Sequence, residues 1–305
     1  MSAPLNMNMN MNMNMNMNMA APGASVGGAG TRVRFNTMDY RKFVVLTGVG
    51  TTEAVIPAAT AAMRFPAYWD ADLRAYEYLN EFLITYPDWR TRLTTFVTGG
   101  GAGFDLMPPH QLSQAQLTQE VQQMLDVAID REDRFAEIID QHEAEGAISY
   151  FLGMLMIDPG RMPASYLLIR VARRIGEHVV MCLKGEFRCP RPSQLCTALV
   201  PMIDPPATPS FPAGHSLQAE LIAACLKATN PVARPVHLLD DLAERLGRNR
   251  VIAGVHYPKD HVVGQGVARW IYNSLLSGGL MAGSKFQDLL SEASTELRHQ
   301  WADAP

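Results

Sequence analysis

Cysteine is scarce in this chain. Only Cys182, Cys189, Cys196 and Cys225 occur in 305 residues. They lack the paired short spacings of a zinc site, and four in so long a chain do not make a disulfide framework. A reduced, cytoplasmic protein is the expectation. Basic excess is missing too: 26 Lys and Arg stand against 30 Asp and Glu, a formal net charge of −4. That balance argues against a nucleic-acid partner. No apolar run of about 18 residues is free of interruption; the nearest approach, Val262 to Ala282, contains Gln265, Arg269 and Asn273. The chain therefore reads as having no membrane span. With no basic segment ahead of an apolar core, it also shows no secretory signal. Strand signals are few, apart from a short hairpin read at Val33 to Thr52.

What is present divides the chain unevenly. No charged residue precedes Arg32, and residues 6–19 alternate Asn and Met, holding seven of the 18 methionines. Residues 1–30 read as a disordered low-complexity tail. Residues 31–305 read as a single helical domain. Helical spacing puts Leu117, Val121, Met124, Leu125 and Ala128 on one face, and Arg134 to Met156 continues in the same manner. Pro163 suits the first turn of a helix that carries Leu167, Ile169, Val171, Ile175, Val179 and Val180 toward Lys184 or Phe187. Further helices follow at Ser216 to Ala228, Val236 to Val255 and Lys259 to Leu276. An all-α bundle results, and the apolar faces on several helices leave a homo-oligomer open.

Chemistry concentrates between Lys184 and Asp260. Lys184 stands seven residues before Arg191-Pro192; Pro209-Ser-Phe-Pro-Ala-Gly-His215 leads into a helix; Arg250, His256 and Asp260 follow at spacings of six and four. Lys184, Arg191 and Arg250 are three fixed cations, and guanidinium forks match the oxygens of a phosphate-like oxyanion. The turn at Ala213-Gly214 offers backbone N–H groups at a helix N-terminus, and Gly214 lets the backbone approach an anion closely. His256 and Asp260, four apart, are expected on one helix face. The carboxylate would then accept from Nδ1–H and leave Nε2 as nucleophile or ligand. His215 is left as general acid or base. Arg188 and Glu186 are candidates to assist the cations, and His261 is expected at the surface.

These three segments resemble the type 2 phosphatidic acid phosphatase and vanadium-dependent haloperoxidase superfamily. Its signature runs Lys-x6-Arg-Pro, Pro-Ser-Gly-His and Ser-Arg-x5-His-x3-Asp, in that order. Lys184, Arg191 and Pro192 match the first block, Pro212, Gly214 and His215 the second, and Arg250, His256 and Asp260 the third. Ala213 and Asn249 replace two signature serines. The likeness spans roughly Ser165 to Leu276. It implies a helical bundle of the acid phosphatase and haloperoxidase type, with the anion site between helices.

In the phosphatase branch the resemblance implies a soluble phosphoester hydrolase without a cofactor, acting on a small phosphoester. His256 forms a phosphohistidine, Asp260 orients it, and His215 is the general acid and base. In the haloperoxidase branch the same pocket holds vanadate with His256 as axial ligand and oxidises halide with peroxide. A non-catalytic anion-binding or scaffold relative is the third reading, motivated by the two lost serines. The signature serine at position 213 donates a hydrogen bond to the anion, a contact of about 0.5–1.5 kcal/mol. Ala213→Ser is therefore expected to leave the fold intact and tighten phosphate binding roughly threefold to tenfold by calorimetry. Unchanged or weaker affinity would show that position 213 does not face the anion.

Overall fold

A computed structural model describes residues 69–100, 103–142, 145–229, 237–277 and 284–302. The Asn/Met tail and the Val33 to Thr52 hairpin lie outside the described residues. Among the described residues the chain is all-α, with no strand. None of their helices is long and apolar enough to cross a membrane. The longer helices are α1 Ala71–Thr85, α2 Trp89–Thr98, α3 Gln114–Val127, α4 Arg131–His142, α5 Gly146–Leu155 and α6 Pro163–Phe187. After the short α7, Pro192–Leu195, come α8 Gly214–Ala228, α9 His237–Ile252, α10 Pro258–Trp270 and α11 Lys285–Ala302.

Helix α8 is the hub, packing most extensively against α6, α9 and α10. Its sequence explains why. Leu217, Leu221, Ile222, Ala223, Cys225 and Leu226 are all buried, and so are Ser216 and Glu220, which bond to His261 and Arg269 of α10, so the helix is enclosed on most of its sides. Helix α6 lies against it and is flanked by α1 and α11. All six apolar residues expected to face inward on α6, from Leu167 to Val180, are buried. Three sequence expectations are corrected. Leu125, expected on the apolar face with Met124, is 50% exposed while Met124 is buried. The segment from Arg134 divides into α4 and α5, and Gly146 approaches Asp140 so closely that a Cβ would lie 1.9 Å from its carbonyl oxygen. Helix α10 does not run on as an α-helix to Leu276 but passes into a π-helical turn, Ile271–Leu276.

Helix α11 lies beyond the last helix anticipated from sequence. Met162 caps α6 without a side-chain hydrogen bond, so the first N–H groups of that long helix need an outside acceptor. Glu296 of α11 supplies it, accepting from the backbone N–H of Ala164 at 2.9 Å and of Ser165 at 2.8 Å. It also accepts from the Ser165 hydroxyl at 2.8 Å. A carboxylate at a helix N-terminus gains from the helix dipole as well. Glu296→Ala is expected to cost about 1–3 kcal/mol in urea denaturation. A loss below about 0.5 kcal/mol, the range of ordinary surface substitutions, would show that the cap is dispensable.

Candidate active site

The spacings in the motif region have local structural causes. Gly254 adopts a left-handed conformation with φ of 80°. Val255 N–H reaches back to the Arg250 carbonyl at 3.2 Å, and Gly254 N–H to that of Val251 at 2.9 Å. Those paired bonds are a Schellman motif. Helix α9 therefore stops sharply, with Arg250 in its last turn and His256 just beyond. Arg131 holds the stop in place, donating to the Ile252 carbonyl at 2.8 Å and the Val200 carbonyl at 2.9 Å. Pro258 then opens α10 at its first position. This corrects the expectation that His256 and Asp260 share a helix face. His256 precedes the helix, and Asp260, three residues inside the Tyr257 cap, reaches back to it.

Asp260 Oδ2 collects three donors: His256 Nδ1 at 3.0 Å, Tyr257 N–H at 3.1 Å and the Ser210 hydroxyl. On its other side, His256 Nε2 lies 3.0 Å from Arg191 Nη1. A guanidinium can only donate. Nε2 must therefore be the bare nitrogen and Nδ1 the protonated one, the tautomer a nucleophilic Nε2 requires. The backbone closes the arrangement: Ala213 N–H donates to the Asp260 carbonyl at 2.9 Å, and Ser210 N–H to that of Cys189 at 2.7 Å. Ala213 N–H is thus occupied. The N–H groups of Gly214, His215 and Ser216 stand in the first turn of α8, where helix geometry supplies no intrahelical acceptor.

The three cations are not equivalent. Lys184 donates to the Pro209 carbonyl and, at 2.8 Å, to the Ser210 carbonyl, which leaves one of its three N–H groups. Arg191 is nearly saturated. Besides its contact with His256, it donates to the Thr208 carbonyl at 2.9 Å, the Thr208 hydroxyl at 3.0 Å and the Val255 carbonyl at 2.7 Å. Arg250 is 1% exposed, and none of its three guanidinium nitrogens has a hydrogen-bond partner. Three positive groups against Asp260 leave a formal surplus of two charges, the charge of a phosphomonoester dianion.

Burial strains every ionised group here. It lowers Arg250 to about 9, with Arg191 adding repulsion, and lowers Arg191 to about 10. Lys184 falls well below the usual lysine range, chiefly through burial and then Arg191. His256 is held well below 6.5 by burial and then Arg191. Asp260 is pushed up to about 6 by burial. His215 also falls well below 6.5, through burial and then Arg250. Among the eight residues expected at the site, His215 alone keeps partial exposure. An added anion would relieve the cations directly.

Lys184, Arg191, His256 and Asp260 are joined through hydrogen bonds to the loop from Thr208 to Ser210 and to one another. Arg250 and His215 adjoin them, and Ala213 and Gly214 form the start of α8. Arg188 does not join: it is exposed and donates to the Gly185 carbonyl at 3.1 Å. Glu186 is also exposed, and the Arg191 donors go to Thr208, Val255 and His256 instead. His261 is not at the surface but buried, 2.8 Å from Ser216 Oγ and 3.1 Å from Glu244 Oε2. Sequence reasoning missed Ser210 and Thr208, which lie beside the histidine motif and whose partners are remote in sequence.

No protein-family model matches the chain, and no curated protein matches it.

The unequal bonding of the arginines has a measurable consequence. Arg250→Met removes a buried, unpartnered charge, so ligand-free stability should hold or rise, while stabilisation by added phosphate disappears. Arg191→Met strands the carbonyls of Thr208 and Val255 and should cost roughly 2–5 kcal/mol. Wild type should gain about 2.7 kcal/mol at phosphate a hundredfold above Kd. Thermal melts with and without phosphate check all three, and phosphate stabilisation that persists in Arg250→Met would contradict the division of roles.

Proposed function

We propose that this protein is a phosphoester hydrolase acting on small phosphomonoesters through a phosphohistidine on His256. The observation that carries the reading is the Arg250 guanidinium, buried without a partner in a cluster that also holds the bare Nε2 of His256. A buried charge without a partner is costly, and a dianion supplies both the missing charge and the missing acceptors. The motif resemblance points the same way.

In this mechanism Arg250, Lys184 and the first turn of α8 hold the phosphoryl oxygens, and Arg191 turns its Nη1 from His256 to the anion. Nε2 attacks phosphorus, the bond to the leaving oxygen breaks, and His215 gives that oxygen its proton. Asp260, bonded to Nδ1–H, stabilises the cationic phosphoimidazole. Water then attacks phosphorus while His215 takes its proton; the P–N bond breaks and inorganic phosphate leaves. Preorganised charge supplies most of the acceleration in phosphoryl transfer. The same donors fit vanadate, which would be held by Lys184, Arg191 and Arg250 against His256 and would supply peroxide activation for halide oxidation.

Alkaline quenching during p-nitrophenyl phosphate turnover, followed by mass spectrometry, should find one phosphoryl group on His256 and none in His256→Asn. Free His215 carries its proton only in the acid range, so kcat/KM should fall as pH rises. A bound dianion offsets Arg250 and raises the His215 pKa, so the falling limb of kcat should lie at higher pH. A phosphoryl group on another residue, or no turnover, would contradict the reading. Bromination that needs vanadate and peroxide and is lost in His256→Ala would replace it with the haloperoxidase reading.

A further inference from the structure

His261 is the node of a polar ladder between the three helices that carry the site. His261, Gln265 and Arg269 follow one another at spacings of four along one face of α10. Their partners are Ser216 and Glu220 of α8 and Glu244 of α9. His261 Nδ1 lies 2.8 Å from the Ser216 hydroxyl, and its Nε2 lies 3.1 Å from Glu244 Oε2. One turn on, Gln265 donates to the same Glu244 oxygen at 2.8 Å; a further turn on, Arg269 donates to Glu220 at 2.7 Å. The ladder ends at the site itself, because Ser216 follows His215 and His261 follows Asp260.

The direction of each bond follows from the carboxylate. Glu244 is held down to about 2, chiefly by its hydrogen bond with His261, so it is ionised and can only accept. Nε2 of His261 therefore carries a proton, and the Nδ1 lone pair of the neutral ring accepts from the Ser216 hydroxyl. Two glycines make the contact possible. A Cβ on Gly247 of α9 would lie 2.5 Å from His261 Nδ1 and 2.6 Å from Ser216 Oγ. One on Gly264 of α10 would lie 2.7 Å from the Ala213 carbonyl oxygen and 3.1 Å from Ser216 Cβ. Both helices thus close directly on the first turn of α8.

We propose that His261 is a positioning residue for the anion: anchored by Glu244, it holds Ser216 and so fixes the first turn of α8, whose open N–H groups at Gly214, His215 and Ser216 receive the anion's oxygens. The proposal rests on the reading of that turn as part of an anion site, and deepens it. The His261 ring bonds to Ser216 and Glu244, so it acts on the anion only through Ser216. Backbone donors stabilise a charged oxygen only when they are held in place, and a small displacement weakens them. Lys184 and Arg250 keep their charge when His261 is lost. The expected effect is therefore a weaker site, not an abolished one.

His261→Leu removes both ring contacts. His261→Asn keeps one: its amide oxygen takes the place of Nδ1 and accepts from Ser216, but it does not reach Glu244. Ser216→Ala removes the same bond from α8, so the test survives if His261→Leu does not fold. Titration calorimetry with inorganic phosphate should show Kd raised about tenfold in His261→Leu and in Ser216→Ala, the scale of one charge-assisted hydrogen bond. His261→Asn should bind within about threefold of wild type, even though its melting temperature falls with the loss of the Glu244 contact. Phosphate affinity that stays at the wild-type value in His261→Leu and Ser216→Ala, with only the melting temperature lowered, would overturn the proposal. So would His261→Asn binding as weakly as His261→Leu. Affinities in the expected order, in a protein that turns over no p-nitrophenyl phosphate, would refute the hydrolase reading and leave the positioning supported. A wild type that binds no phosphate would refute both.

Discussion

Arg250 sets the terms for everything around it. Its guanidinium is buried, lacks a hydrogen-bond partner and lies within electrostatic reach of Arg191. Nothing in water favours that arrangement, since desolvation and like-charge repulsion act in the same direction. The neighbouring structure can nevertheless hold it. The Schellman stop at Gly254 fixes the last turn of α9, Arg131 caps it, and the hydrogen bonds of Arg191 lock the second arginine to the loop at Thr208. Fold stability thus supports a site that is unfavourable by itself, as expected where groups are preorganised for a ligand.

The division of labour among the cations follows from counting donors. Arg191 spends four of its five N–H groups on the protein and so works as a scaffold, its contact with His256 marking where the lone pair points. Lys184 fastens the Pro209–Ser210 loop and keeps one donor in reserve. Arg250 keeps all of its donors. Three residues that look interchangeable in sequence therefore differ in the structure: Lys184 and Arg191 are tied to the surrounding backbone, and Arg250 keeps its donors free.

Much of this was legible in the sequence where the cause is local. A break between two helices near Tyr257-Pro258 is expected from the proline, while the stop at Gly254, ahead of the expected helix end at Val255, is not. The buried side of α6 followed from periodicity alone. What could not be read depends on partners far along the chain. Ser210 bonds Asp260, fifty residues away, and Glu296 caps a helix that begins more than a hundred residues earlier. His261 looked like a surface residue because its partners, Ser216 and Glu244, come from two other helices. The shared face expected for His256 and Asp260 failed for a simpler reason: spacing of four implies a helix only where both residues lie inside one, and Pro258 starts α10 between them.

The most direct test of the central claim is a crystal structure with phosphate bound. The tetrahedral anion should sit against the Arg250 guanidinium with Lys184 and Arg191 completing the cradle, and phosphorus should face His256 Nε2. An Arg250 guanidinium that remains without an anionic partner, or phosphate bound away from His256, would contradict it.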